Sequence, residues 1–89
     1  MYYVYVLLSE KDGKFYTGFT DDLKRRVDEH RAGRVQSTAK RRPLTLVYYE
    51  ACLHQNDAIH REKYLKTTFG KQYIRNRIKN SLIELSVYT

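Results

Sequence analysis

The chain has 89 residues, 42% hydrophobic and 13% aromatic, so we expect one folded domain over residues 1–89 and exclude intrinsic disorder. A net charge of +7 favours a polyanionic partner, the alternative being a basic surface without one. The single Cys52 excludes an intrachain disulfide and a cysteine-rich zinc site. No apolar run approaches the ~20 residues of a membrane span and the N-terminus lacks a charged leader pattern, so we expect a cytoplasmic protein with no membrane partner.

Two strands and a turn are expected first. The aromatic and aliphatic segment from Tyr2 to Leu8 predicts a buried strand. Asp12-Gly13 predicts a hairpin turn, because this pair readily adopts positive φ. The segment from Phe15 to Thr20 then predicts the return strand.

A helix and a basic connection follow the hairpin. Thr20 or Asp21 is expected to cap the helix, which runs to about Ala32 and stops at Gly33. The connection from Arg34 to Arg42 is polar and basic.

The second half of the chain predicts one more strand and two more helices. The order β-β-α-β-α-α indicates an α/β chain of the α+β type, a three-stranded antiparallel sheet flanked by helices. The expected elements are a strand from Leu44 to Cys52, a helix from Asn56 or Asp57 to Gly70, a helix from Gln72 to about Leu82, and a coil or short strand from Ile83 to Thr89.

Two tyrosines are expected on one face of the hairpin. Side chains alternate across a strand, and a turn centred on Asp12-Gly13 pairs odd residues of the first strand with even residues of the second. Tyr5 and Tyr16 therefore share a face, with Gly18 beside them. A glycine inside a strand often marks the close approach of a ligand or another chain, which makes Gly18 a candidate nucleic-acid contact.

The first helix carries two polar side chains on its apolar stripe. Arg26 and His30 share that stripe with Leu23 and Val27, where apolar residues are expected. One interpretation is that they belong to a functional site facing the sheet. The alternatives are an arginine whose charge reaches solvent at the edge of the stripe and a helix-end histidine stabilised by the helix dipole.

The second helix shows the same conflict at Glu62. This residue lies in the middle of a predicted apolar stripe that comprises Ala58, Ile59, Leu65 and Phe69. A carboxylate held in a cleft as a metal ligand is one interpretation, and a surface ion pair with Lys66 at i,i+4 is the other. Local sequence rules tend to fail at functional sites, so these failures together favour function.

These groups suit the hydrolysis of a phosphodiester. Arg26 offers a fork that matches phosphate oxygens, and His30 can position a phosphate or share a proton transfer. Either Tyr16 or Tyr5 can act as base toward water, although a phenol needs help to ionise, since its ordinary pKa is near ~10. Mg²⁺ prefers oxygen ligands and keeps several waters, so Glu62 with the phosphate can hold one ion.

At this spacing the residues resemble the GIY-YIG nuclease superfamily. Tyr3-Val4-Tyr5 occupies the place of its first motif and Tyr16-Thr17-Gly18 that of its second, followed by Arg26, His30 and Glu62 in order. The similarity covers nearly the whole chain. It is closest to the small stand-alone bacterial members, including the run from Ser37 to Pro43 and the Arg61-Glu62-Lys63 segment.

The resemblance implies a fold, an activity and a cofactor. It implies an α/β sandwich and cleavage of a DNA strand with Mg²⁺ or Mn²⁺ held by Glu62 and a tyrosine as general base. Three positions depart from the family pattern: Tyr3 replaces glycine, Thr17 replaces isoleucine, and Phe19 stands where some repair members carry lysine. The missing lysine removes one phosphate contact.

The sequence thus predicts a metal-dependent endonuclease, in repair or in the cutting of branched DNA. The alternative is a nucleic-acid-binding module without catalysis, and a third is a structural protein with incidental charge. Since 89 residues leave no room for an attached DNA-binding domain, a protein partner or oligomer is expected to supply specificity. The expected phosphate contacts are Lys40, Arg41, Arg42, Arg75 and Arg77.

Overall fold

The computed structural model describes residues 1–87, and a β-hairpin opens the chain. Strand β1 spans Tyr2–Ser9 and strand β2 spans Phe15–Thr20. Gly13 adopts a φ of 72° in the turn, which favours glycine, and its amide donates to the Ser9 carbonyl at 2.8 Å. The predicted turn is therefore confirmed.

The sheet has the predicted three antiparallel strands, in the order β2-β1-β3. Strand β3 spans Leu44–Cys52, as the sequence predicts. Strand β1 is central and pairs with both neighbours, with a register shift against β3 between Val6 and Leu7. Its side chains are buried on both faces of the sheet, which explains its nearly continuous apolar sequence.

Each face of the sheet has its own core. Helix α1, Leu23–Arg31, packs Val27 against the face that carries Tyr5 and Leu7. Val4 and Val6 point to the other face, where helices α2, Gln55–Leu65, and α3, Thr68–Arg77, cover them. The buried side chains of this second core are Val4, Val6, Ala58, Leu65, Ile74 and Ile78.

The start of α1 differs from the prediction by one or two residues. Asp22, rather than Thr20 or Asp21, caps the helix and accepts a hydrogen bond from the Arg25 amide at 3.1 Å. Thr20 accepts from the Asp22 amide at 3.1 Å and so holds the cap in place. A short 3₁₀ turn, Ala39–Arg41, then lies within the basic connection.

The prediction of one long helix ending at Gly70 is wrong, because helix α2 ends at Leu65 and a separate helix follows. Thr67 caps α3 and its hydroxyl accepts from the Gly70 amide at 3.1 Å. Gly70 lies inside α3, where a Cβ would come within 2.5 Å of the Leu65 Cα, so glycine permits a close approach of the two helices. Phe69, expected in the core, is 80% exposed.

The end of the chain is also more helical than predicted. Helix α4 spans Lys79–Val87, whereas the sequence predicts coil or a short strand from Ile83 onward. Leu82 packs against the second core and anchors this helix. The last two residues of the predicted tail, 88–89, lie outside the described residues. The order is therefore β-β-α-β-α-α-α, with one more helix than predicted and the predicted fold class.

Candidate active site

Tyr5 and Gly18 lie directly opposite each other in the hairpin, and Tyr16 follows on the same face opposite Leu7. A Cβ at Gly18 would collide with the Tyr5 hydroxyl and lie 2.6 Å from its Cζ. Glycine is therefore required so that the Tyr5 ring can cross β2. The space that we expected to admit a ligand is filled by this ring, so the geometry gives Gly18 a packing role.

Tyr5 begins a buried chain of hydrogen bonds. Its hydroxyl lies 2.8 Å from Nε2 of His30, and Nδ1 of His30 lies 2.7 Å from Oγ1 of Thr38. All three side chains are buried, and none of their buried polar atoms lacks a partner. The chain joins the central strand, helix α1 and the connection after it.

The directions of these bonds follow from the two ends of the chain. Arg26 interacts with the Tyr5 phenol, and because its guanidinium carries only donors it cannot accept the Tyr5 proton. The Tyr5 hydroxyl is then free to donate to Nε2 of His30, whose Nδ1–H donates to Thr38. The Thr38 hydroxyl in turn donates to the Val35 carbonyl at 3.5 Å. This order assigns a neutral His30 with its proton on Nδ1.

The electrostatics of the site also keep His30 neutral. Burial, together with the nearby positive charge of Arg26, lowers the pKa of His30 to about 4. The alternative of a charged histidine stabilised by the helix dipole is therefore not what is observed. Because its ring is fully buried, His30 positions Tyr5 and does not contact a phosphate directly in this conformation.

Arg26 lies at the partly exposed end of this series of buried side-chain contacts. Its guanidinium donates to Glu29 Oε1 at 3.2 Å, and the hydrogen bond to Tyr5 raises its pKa. It borders an open cavity of about 610 Å³ that Phe19, on β2, also lines. The Arg26 side chain reaches solvent, as expected for an arginine at the edge of the apolar stripe. It also lies next to Tyr5. An apolar ring at Phe19 therefore borders the cavity, at the position where the resemblance places a lysine in some repair nucleases.

The two phenols differ in what they can reach. Burial raises the pKa of Tyr5 to about 12, so this hydroxyl stays protonated. Tyr16 is half-buried, and its ring centroid lies 5.1 Å from that of His30. The Ser37 hydroxyl donates to the Tyr16 oxygen over a long 3.5 Å. Of the two tyrosines, Tyr16 is the one whose hydroxyl can meet an external substrate.

Glu62 satisfies parts of both interpretations. Its side chain is only 17% exposed, and its Oε2 lies 3.3 Å from Nζ of Lys66, so the i,i+4 ion pair is formed. Its negative charge also contributes to the raised pKa of Tyr5, which brings Glu62 into the electrostatic neighbourhood of the buried chain. Glu62 therefore belongs to the same region as Tyr5 while paired with lysine.

A divalent cation would depend on very few protein ligands here. Among residues 1–87, no three His, Cys, Asp or Glu side chains come together in a metal-binding group. A lone carboxylate fits Mg²⁺ or Mn²⁺, because such ions accept oxygen ligands and keep several waters beside a substrate phosphate. It does not fit a closed zinc site, which needs four ligands.

The basic residues of the connection differ in the contacts that their side chains make. Arg41 donates to Asp12 Oδ2 at 2.8 Å and to the Lys14 and Phe15 carbonyls, which ties the connection to the hairpin turn. Arg42 donates to the Ala39 carbonyl at 3.0 Å, and the Lys40 side chain is exposed. The contacts of Arg41 argue for a structural role, and those of Lys40 leave its ammonium group at the surface.

The arginines of α3 lie away from the tyrosine site. Arg75 stacks over the ring of Phe15, 5.3 Å from its centroid, on the sheet face opposite to Tyr16. Arg77 lines a separate groove beside Tyr48. The structure thus brings together Tyr5, Tyr16, Arg26 and His30, with Glu62 close in charge, and it does not bring Arg75 or Arg77 to them. Nucleic-acid contact by these arginines stays a prediction.

Thr38 and Ser37 are site residues that the sequence analysis did not single out. Thr38 accepts the hydrogen bond from Nδ1–H of His30, and the Ser37 hydroxyl contacts Tyr16. One principle pointed to such residues, because a buried imidazole needs a hydrogen-bond partner on each ring nitrogen. The run from Ser37 to Pro43 also belongs to the resemblance, although no role was assigned to its hydroxyls.

Comparison with known protein families gives this arrangement its context. The model of the GIY-YIG catalytic domain matches residues 1–79, which includes every residue of the site. The chain belongs to the GIY-YIG family. This membership implies a nuclease-type domain of a family that acts on DNA.

Relatives of this GIY-YIG domain carry the name UPF0213 protein. One from Lacticaseibacillus paracasei is 48% identical over 66 residues, or 73% of either chain. One from Halobacterium salinarum is 42% identical over 67 residues, which covers 74% of this chain and 86% of the relative. The solution NMR structure of a UPF0213 protein from Bacillus halodurans matches with a TM-score of 0.53 at 34% identity, covering 85% of this chain and 84% of that one.

The helices of this GIY-YIG domain are short and mostly polar outside the core. Within residues 1–87, none is long and apolar enough to cross a membrane.

Proposed function

We propose that the chain is a metal-dependent endonuclease that hydrolyses DNA phosphodiester bonds. The observation that carries this proposal is the contrast between Tyr16 and Tyr5. Tyr16 is partly accessible and lies against His30, while Tyr5, His30 and Thr38 form a buried, fully bonded support that ends in the partly exposed Arg26. Buried networks of this kind hold functional side chains in fixed positions.

Each residue then has a defined task. The Arg26 guanidinium binds oxygens of the scissile phosphate and stabilises the negative charge that develops there. Tyr16 gives up its own proton to solvent when substrate binds, and the phenolate then accepts a proton from the attacking water. The water oxygen bonds to phosphorus as the bond from phosphorus to the leaving sugar oxygen breaks, and solvent protonates that oxygen. Tyr5 and His30 keep Arg26 and Tyr16 in register and exclude water beneath them.

A divalent cation completes the proposed site. Glu62 would hold Mg²⁺ or Mn²⁺ together with a phosphate oxygen and water. When bound, the ion supplies charge neutralisation at the phosphate and makes bound water more acidic. Because Lys66 is paired with Glu62 at 3.3 Å, we expect Lys66 to turn outward when the cation binds.

The test combines a cleavage assay with a metal titration. Supercoiled plasmid and branched duplexes are incubated with Mg²⁺ or Mn²⁺, and Mn²⁺ binding is measured in parallel by electron paramagnetic resonance. We expect Glu62→Gln to lose ~10²-fold or more in cleavage rate and to weaken Mn²⁺ binding. Glu84→Gln, on the exposed side of α4, is the matched control and should change neither. Unchanged cleavage by Glu62→Gln would contradict the proposal.

A catalytically silent DNA-binding module is the second candidate. Two observations favour it: Glu62 is paired with Lys66, and Phe19 stands where some repair members of the family carry a lysine. This candidate predicts steeply salt-dependent DNA binding that is unaffected by chelators, with no turnover at any metal concentration. Metal-dependent cleavage that Glu62→Gln abolishes would exclude it.

The biological setting follows from the proposed reaction. We propose that the protein acts on cytoplasmic DNA during repair or recombination, with a protein partner or a second copy supplying specificity. Light scattering on the purified chain, alone and with a branched duplex, tests the second copy. A monomer in both conditions, together with cleavage selective for one branched structure, would show that neither partner nor oligomer is needed.

A further inference from the structure

Most of the positive charge of the chain lies in two segments, residues 31–42, with five Lys or Arg residues and no acidic residue, and residues 60–79. Residues 60–79 contain seven Lys or Arg residues and a single Glu, so this segment of α2 and α3 is strongly basic. It covers the sheet face opposite to Tyr16. The basic connection beside the tyrosine site therefore accounts for only part of the charge that first suggested a polyanionic partner.

The segment of residues 60–79 holds an arginine between two tyrosine rings. The Arg61 guanidinium lies 5.3 Å from the ring centroid of Tyr64 and 4.9 Å from that of Tyr73. Its Nε donates to both carboxylate oxygens of Glu50, at 3.1 and 3.0 Å. Tyr48 donates to Glu50 at 3.1 Å and interacts with Tyr73, which links the Tyr73 ring to the Arg61–Glu50 pair.

The aromatic rings of this cluster remain open to solvent. Tyr64 is 41% exposed and Tyr73 is 38% exposed, and both line a groove of about 570 Å³. Phe69, one helical turn before Tyr73, is 80% exposed. We call Arg61, Tyr64, Phe69, Tyr73 and Arg77 the α2–α3 surface.

We propose that the α2–α3 surface binds single-stranded DNA. Unpaired bases stack on aromatic side chains, while lysines and arginines follow the phosphate backbone. Rings that stack against Arg61, which Glu50 holds in place, suit this task, because little side-chain freedom is lost when a base stacks on them. The bases of a duplex are already stacked on each other, so exposed rings favour an unpaired strand.

The positive charge of residues 60–79 favours single-stranded DNA over a protein as the partner of this surface. An aromatic surface that binds an uncharged protein face does not need so many surrounding cations. Lys63, Lys71 and Arg75 are exposed within the same segment, whose single acidic residue is Glu62, while Asp57 also lines the groove. A polyanion with accessible aromatic faces complements both properties at once.

This inference rests on the proposed function in one respect, namely that the bound strand belongs to the DNA that is cut. A duplex at Tyr16 and an unpaired strand at Phe69 would lie on opposite faces of the sheet. The substrate class is therefore a duplex joined to a single strand, such as a flap or a splayed end.

The experiment measures binding without cleavage. Tyr16→Phe protein in EDTA is titrated into a fluorescein-labelled oligothymidine of about 12 nucleotides, and anisotropy is recorded at several salt concentrations. We expect salt-dependent binding that Phe69→Ala and Tyr73→Ala each weaken at least ~5-fold. Tyr49→Ala is the control, since Tyr49 is 53% exposed on the face of Tyr5.

Two further arms make the stacking claim falsifiable. Tyr73→Ala also breaks a contact to Tyr48, so circular dichroism must show folded protein, and Phe69→Ala, at a more exposed position, serves as the second variant. A 2-aminopurine base should be quenched by the parent protein and less by Phe69→Ala. Equal binding of an abasic oligonucleotide, tighter binding of duplex or of single-stranded RNA, or equal affinities of Phe69→Ala and Tyr49→Ala would overturn the proposal.

The outcomes separate this inference from the proposed function. If single-stranded DNA does not bind but plasmid is cut in a Glu62-dependent way, the α2–α3 surface is not a DNA site and the endonuclease stands. If single-stranded DNA binds through Phe69 and no substrate is cut, the endonuclease proposal fails and the surface stands.

Discussion

The hydroxyl of Tyr5 lies 2.8 Å from Nε2 of His30, and this bond joins the central strand to helix α1 where neither side chain meets solvent. The sequence predicts Tyr5 as one of two candidate bases toward water, and His30 as a residue that positions a phosphate or shares a proton transfer. Their burial instead makes them the support on which Tyr16 and Arg26 rest. The consequences of removing each part of this support differ, which allows the arrangement to be tested piece by piece.

Gly18→Ala should disturb the support most directly. The added Cβ would lie 2.6 Å from Cζ of Tyr5, so the ring must move and its bond to His30 is lost. Overpacking of this kind costs about 1–3 kcal/mol of unfolding free energy, which urea denaturation measures. The double variant Gly18→Ala/Tyr5→Leu should lose less than the sum of its single changes. Additive losses would show that the Tyr5 ring is not the group that needs Gly18.

Thr38→Val should remove the hydrogen-bond acceptor of His30 Nδ1–H. Valine has a similar shape but leaves Nδ1–H of His30 buried without a partner, which costs about 1–3 kcal/mol. Thr38→Ser keeps the hydroxyl and should retain most of the stability. In a single-turnover cleavage assay, Thr38→Val should be slower than Thr38→Ser at saturating DNA. Equal stability of the two variants would mean that the Thr38 bond contributes nothing.

Acid should destabilise the protein through His30. Its pKa is about 4 in the folded chain against an ordinary value of 6.5, so the unfolded chain takes up this proton first as the pH falls. The stability present above pH 6.5 is therefore lost between 6.5 and about 4, by up to about 3 kcal/mol.

The measurement compares urea unfolding at several pH values across that window. His30→Gln should be less stable than the parent near neutral pH and should lose less on acidification. His60→Gln, at an exposed position, is the control and should follow the parent. Parallel pH curves for His30→Gln and the parent would contradict the assigned neutral state.

Lys40 and Arg41 are neighbours with separable roles. Lys40→Ala should lower the slope of log binding constant against log salt by about 1 and leave stability unchanged, as expected for one lost phosphate contact. Arg41→Ala should unfold at a lower urea concentration, because the hairpin turn and the connection lose the bonds to Asp12 and two carbonyls. The reverse pattern would show that Arg41, and not Lys40, meets the DNA.

Sequence patterns predicted the fold and the central group of the site for identifiable reasons. The Asp12-Gly13 turn determines the parity of the hairpin, so the shared face of Tyr5 and Tyr16 follows without a structure. The break after Leu65 was missed because Leu65 and Phe69 have helical spacing. Only tertiary packing shows that Gly70 brings two helices together.

The burial of each side chain was the other feature that could not be predicted from the sequence. Nothing in the spacing distinguishes a buried His30 from one at the surface, since that depends on how residues 32–43 fold back over helix α1. Thr38 joins the site only through this path. In the same way, Arg41 reads as a basic surface residue until its distance to Asp12 is known.

Cleavage by Tyr16→Phe tests the central claim most directly. Single-turnover cleavage of a branched duplex with Mg²⁺ is measured for the parent, Tyr16→Phe and the control Tyr49→Phe, with binding followed separately. We predict a loss of ~10²-fold or more in the rate for Tyr16→Phe with unchanged DNA affinity, and a parental rate for Tyr49→Phe. A parental rate for Tyr16→Phe would contradict the account, because no other accessible phenol lies against His30 in the described residues.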